Sequence, residues 1–124
     1  MTMTEDKTTA ATGPSVVTLD SKNGYVTTMN TYTVPAERVE EVLQYLVRSA
    51  NETVRFVPGF LSFSFHVSFD RTQIVNYGQW KSREALGAAR QDPRIVALMA
   101  ETAKIAGPSK SAPFDMRQSV FAAE

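Results

Sequence analysis

The stretch FLSFSFHVSFDRTQIVNYGQW, Phe60 to Trp80, constrains the fold more than any other part of the chain. Its first half alternates: Leu61, Phe63, Phe65, Val67 and Phe69 fall on one side, and Ser62, Ser64, His66 and Ser68 on the other. Asp70-Arg71-Thr72 reads as a short turn and Gln73 to Trp80 as the return strand. A period of two on both sides of a turn specifies a β-hairpin and excludes a helix. With Arg71 and Thr72 at the tip, Phe69 faces Ile74, Val67 faces Asn76, Phe65 faces Gly78 and Phe63 faces Trp80. Asn76 and Trp80, the single tryptophan, then share a face with phenylalanines, while Val75, Tyr77 and Gln79 lie opposite. A slip of one residue would exchange the two faces.

The flanks complete the plan. Tyr25 to Val34 is rich in β-branched and aromatic residues and reads as a first strand. Pro35 suits a first helical position, and Val39, Val42, Leu43, Leu46, Val47, Ala50 and Val54 form one helical stripe. Ser82 caps a short helix over REALGAAR, and Asp92-Pro93 opens another over RIVALMAETAKIA, with Ile95, Leu98, Met99 and Thr102 inward. Phe114 to Ala122 is assigned as the last strand. The order β-α-β-β-α-β is the α+β, ferredoxin-like plan. Residues 1–24 are threonine-rich and poor in large apolar side chains, and read as a flexible tail before a domain over 25–124.

Composition removes several classes of function. Thirteen basic and thirteen acidic side chains cancel, leaving no basic footprint for nucleic acid or an anionic membrane. Without cysteine there is no disulfide, thiolate nucleophile or zinc knuckle, and His66, the one histidine, has no companion at ligand spacing. No segment reads as a membrane span or a signal peptide, so the cytoplasm is the expected compartment. No glycine-rich phosphate loop and no nucleophile elbow occurs. Arg83, Arg90 and Arg94 could meet an anionic or phenolate substrate, but read first as surface ion-pair formers.

In this fold the helices cover one sheet face, and the more apolar face of the hairpin is assigned there. On the first strand Val26, Thr28, Asn30, Tyr32 and Val34 share a side; if it faces the helices, Asn30 joins Asn76 and Trp80. The result is a cleft walled by Phe63 and Phe65, with Gly78 leaving room for a flat ligand. The other face is mixed and aromatic and suits a second subunit. Patterning leaves both readings of Asn76 and Trp80 open: a buried asparagine is usually satisfied by backbone, and a lone tryptophan usually fills a core.

At MNTYTVPAE, PGFLSFSFHVSFD and IVNYGQWKSREAL the chain resembles the antibiotic biosynthesis monooxygenase family, most of all its anthrone oxygenases of aromatic polyketide pathways. The likeness runs from about Tyr25 to the C-terminus. It implies a homodimeric α+β barrel and a cofactor-independent oxidation of an anthrone-like phenol to a quinone by molecular oxygen. It also implies catalytic roles for Asn30, Asn76 and Trp80, and a substrate pocket that includes Tyr32, Phe63, Phe65 and Gly78. Haem-degrading relatives add a histidine downstream of the tryptophan, and here none follows Trp80. Other small-molecule enzymes on the same scaffold, such as a quinol oxygenase or an isomerase, and a non-catalytic binder of aromatic metabolites are the alternatives.

Overall fold

The computed structural model describes residues 16–123. Strand β1 (Val26–Thr33) leads through a 3-10 turn, Ala36–Arg38, into helix α1 (Val39–Glu52). A second 3-10 turn, Val54–Phe56, precedes β2 (Phe60–Val67) and β3 (Gln73–Trp80). Helices α2 (Arg83–Gln91) and α3 (Pro93–Ala106) follow, and β4 (Ser109–Asp115) closes the sheet. The sheet is antiparallel in the order β2-β3-β1-β4, the ferredoxin-like arrangement expected from the element order.

Local chemistry sets the boundaries. The Ser82 hydroxyl accepts from the Ala85 amide at 3.0 Å, and the Asp92 carboxylate accepts from the Arg94 amide at 2.9 Å. Each satisfies one amide that a helix start leaves unpaired. Gly59 adopts φ +84°, and a Cβ there would run into the Cβ of Ala85, so the turn into β2 requires glycine.

The hairpin keeps its expected faces but not its expected pairs. Val67 lies opposite Ile74, Phe65 opposite Asn76 and Phe63 opposite Gly78, a shift of two residues from the short-tip register. The cause is a longer turn. Ser68 N–H donates to the Gln73 carbonyl, and the Asp70 carboxylate accepts from the Ser68 and Thr72 hydroxyls at 2.7 Å each. Phe69 therefore sits in the turn, fully exposed, rather than on the apolar face. At the other end a β-bulge at Leu61 moves Phe60, not Leu61, opposite Trp80. Leu61 is exposed, and Phe60 packs edge-on against both Phe63 and Trp80.

The last strand also differs. Pairing with β1 runs over Ser109–Asp115 and stops there, short of the assigned Phe114 to Ala122. Polar residues and Pro113 suit an edge strand, whose outer side needs no partner. Val120 and Phe121 are exposed. Thr18 accepts a 3.0 Å hydrogen bond from Gln79 Nε2, against the sheet face away from the helices. The rest of the expected tail, residues 1–15, lies outside the described residues. Among the described residues, no helix is long and apolar enough to cross a membrane.

Candidate active site

Two apolar clusters fill the space between sheet and helices, joined where Phe63 on one meets Phe65 on the other edge-to-face. One gathers Tyr32, Val34, Val39, Val42, Leu46 and Ile74; the other gathers Val26, Val54, Trp80, Leu86, Ala89 and Ile95. Along β3 the inward residues run Ile74, Asn76, Gly78, Trp80, and along β1 they run Val26, Thr28, Asn30, Tyr32. The ends of these rows belong to the clusters and their middles are polar or bare. There the interface opens into a cavity of about 300 Å³. That volume is at the lower end for small-molecule sites.

Six of the seven site residues expected from sequence line this cavity: Asn30, Tyr32, Phe63, Phe65, Asn76 and Trp80. The seventh does not. Gly78 is buried beneath Phe63: a Cβ there would lie 2.8 Å from two ring carbons of Phe63 and 2.6 Å from Thr28 Oγ1. Glycine at this position makes room for the Phe63 ring rather than for a ligand, a consequence of the two-residue register shift that sets Phe63 opposite it.

Asn30 and Asn76 are direct cross-strand partners. The Asn30 Oδ1 accepts from the Ser111 hydroxyl at 2.5 Å. Asn76 is 4% exposed, and its Oδ1 is buried with no hydrogen-bond partner among the described residues. The Asn30 oxygen is thus engaged by Ser111, which lines the same cavity, and the Asn76 oxygen is shielded from it, so the NH₂ groups are the carboxamide ends left without an assigned partner among the described residues. Trp80, 4% exposed, meets Phe60 and Phe63 edge-to-face with ring centroids 5.4 and 6.3 Å apart, which locks the indole plane. Tyr32 is buried, and that burial pushes its phenol above the ordinary tyrosine value against an opposing hydrogen bond with Ser109; it stays protonated at neutral pH.

Among the described residues, no carboxylate and no imidazole lines the cavity. His66 is exposed and paired with Val75, on the sheet face away from the helices. No cluster of potential metal ligands exists among the described residues either. The arginines divide. Arg83 pairs with Asp115 at 2.7 Å and Arg94 with Asp92 at 2.8 Å, as surface ion pairs, while Arg90 lines the cavity with no carboxylate partner among the described residues. Nothing in the spacing of the three distinguishes Arg90; only the docking of α2 does. Ser111 carries no sequence signal either, because β4 begins ahead of the stretch Phe114 to Ala122 that reads as the last strand.

Such a site can hold a flat apolar molecule and offer donors to an oxygen that gains negative charge. Residues 25–101 match the family model of the antibiotic biosynthesis monooxygenases. The tetracenomycin-F1 monooxygenase of Streptomyces glaucescens is 35% identical over 80 residues, which are 64% of this chain and 71% of that protein. The ActVA-Orf6 monooxygenase of Streptomyces coelicolor, solved with nanaomycin D, superposes with a TM-score of 0.68 at 28% identity, over 84% of this chain and 96% of that one. SnoaB, a cofactor-independent oxygenase of Streptomyces nogalater, shares the fold with a TM-score of 0.65 at 22% identity, over 78% of this chain and 97% of its own.

Proposed function

The chain belongs to the antibiotic biosynthesis monooxygenase family, and from that premise we propose that it is a cofactor-independent monooxygenase that oxidises an anthrone-like polyketide phenol to a quinone. The observation that carries this reading is the cross-strand pair Asn30 and Asn76, one amide oxygen held by Ser111 and the other buried, in a largely apolar cavity that no carboxylate or imidazole lines among the described residues.

The substrate supplies the electrons. Loss of one proton from the anthrone methylene to solvent water gives a delocalised enolate whose charge rests largely on oxygen, and the peroxide anion formed later takes one proton back. The Asn30 and Asn76 NH₂ groups donate to that oxygen and lower the acidity barrier, so that no strong protein base is needed. The enolate passes one electron to dioxygen, and the resulting radical pair forms a carbon–oxygen bond. The hydroperoxide then loses water: the second methylene proton leaves, the O–O bond breaks, and the carbon becomes the quinone carbonyl. Each turnover consumes one dioxygen and releases one water. The Trp80 indole stacks on the rings, Phe63 and Phe65 keep water out, and the neutral Tyr32 phenol is a further donor.

The barrel is completed in this proposal by a second copy, packed on the sheet face that carries Met29, Tyr77 and Phe114, of which Met29 and Phe114 are exposed in the single chain. Light scattering at micromolar concentration tests that part; a monomer would refute it. Oxygen uptake by purified, metal-free protein with a dihydroxyanthrone tests the chemistry. Tight binding of the anthrone with no uptake above the buffer rate would make the protein a binding module instead.

A further inference from the structure

We propose that Ser111 is a positioning residue that makes Asn30 a hydrogen-bond donor to the substrate; the inference rests on the oxyanion reading of the Asn30–Asn76 pair. Ser111 lies directly across from Asn30 on β4, as Asn76 does on β3, so the three form one polar row across three strands. The Ser111 Oγ to Asn30 Oδ1 distance, 2.5 Å, is short for a hydroxyl donor.

A carboxamide is two-ended. Its terminal torsion is broad and roughly two-fold, so a half-turn exchanges a donor for an acceptor at nearly the same position. An asparagine free to turn would present its carbonyl lone pairs to a developing oxyanion part of the time, and that orientation opposes the negative charge. The Ser111 hydroxyl captures the oxygen from β4, which fixes the NH₂ as the end of the Asn30 amide free to donate within the cavity that both residues line. Asn76 needs no such latch, because it is enclosed on a central strand. Asn30 is only half-buried and lies next to the edge strand, where a latch is needed. Ser111 is itself exposed, so its hydroxyl fills no core space and its removal leaves packing intact.

The test compares wild type, Ser111→Ala and Ser111→Thr in two assays. One is a visible-absorbance titration of a bound hydroxyanthraquinone, whose phenolate absorbs to the red and which cannot be oxidised further at that position. The other is steady-state oxygen uptake with a dihydroxyanthrone. Ser111→Ala is expected to raise the apparent pKa of the bound phenol and to lower kcat about tenfold, the scale of one charge-assisted hydrogen bond, with KM and Tm near wild type. Ser111→Thr, which keeps the hydroxyl, is expected to restore both. An alanine variant with wild-type phenol pKa and kcat overturns the inference, as does a loss that threonine fails to restore. If wild type lowers the phenol pKa but consumes no oxygen, the monooxygenase chemistry falls while the dye titration still decides Ser111. If wild type does not bind the dye, both fall.

Discussion

Asn76→Leu separates a pocket residue from a structural one by its effect on stability. Asn76 is 4% exposed and its Oδ1 is buried without a hydrogen-bond partner among the described residues. A buried, unpaired carbonyl costs about 1–3 kcal/mol. Leucine removes that cost and buries additional apolar surface, while its extra volume meets some resistance, on the order of 1–3 kcal/mol in a filled core. Here the adjoining cavity takes up much of the added volume. The net expectation is a gain of about 1–2 kcal/mol, or roughly 3–8 °C in Tm for a domain of this size. Urea denaturation with an unchanged m-value measures it. Oxygen uptake should fall by about 100-fold or more, the usual result of deleting one oxyanion donor. A more stable, inactive protein is the signature of a residue kept for chemistry at the expense of folding. A variant destabilised by about 2 kcal/mol or more would refute the reasoning and return Asn76 to a satisfied structural role.

Three other perturbations probe the neighbourhood. Gly78→Ala places a methyl group 2.6 Å from Thr28 Oγ1 and 2.8 Å from the Phe63 ring, so it should cost about 1–3 kcal/mol and weaken substrate binding by pushing Phe63 into the cavity; thermal melts and KM check both effects. Trp80→Phe should keep the fold, because Phe60 and Phe63 still pack around the smaller ring, but reduce turnover; retained kcat with unaltered affinity would remove Trp80 from the chemistry. The third concerns pH. Burial raises the Tyr32 pKa in the folded state, so its contribution to stability is fully present below the unfolded value near 10 and is lost as pH rises through the folded value. Wild type should therefore lose stability above about pH 10 more steeply than Tyr32→Phe, measured as the midpoint of urea denaturation against pH.

Much of the architecture is legible in the sequence because alternation and helical spacing are dictated by burial. The apolar stripe of α1 and the shared face of Asn30, Asn76 and Trp80 follow from periods of 3.6 and two, and a register shift by two residues leaves the face unchanged. What alternation cannot reveal is a break in its own period. The bulge at Leu61 substitutes Phe60 for Leu61 on the inner face, and the Asp70-centred turn releases Phe69 to solvent. Edge strands carry little apolar signal, so neither the bounds of β4 nor the place of Ser111 can be read from the pattern. Arg90 differs from Arg83 and Arg94 only in the partners the fold brings near. Gly78 shows how a residue without a side chain is ambiguous until its neighbour is known, since the space it leaves is taken by Phe63.

The most direct measurement is turnover of a dihydroxyanthrone by metal-free, flavin-free protein under dioxygen labelled in both atoms, followed by mass spectrometry of the quinone. One labelled atom in the new quinone carbonyl and the other in water, at a rate that falls sharply in Asn76→Leu, is the expected outcome. Unlabelled quinone, or a wild-type rate no greater than that of Asn76→Leu, would contradict oxygenation at the Asn30–Asn76 pair.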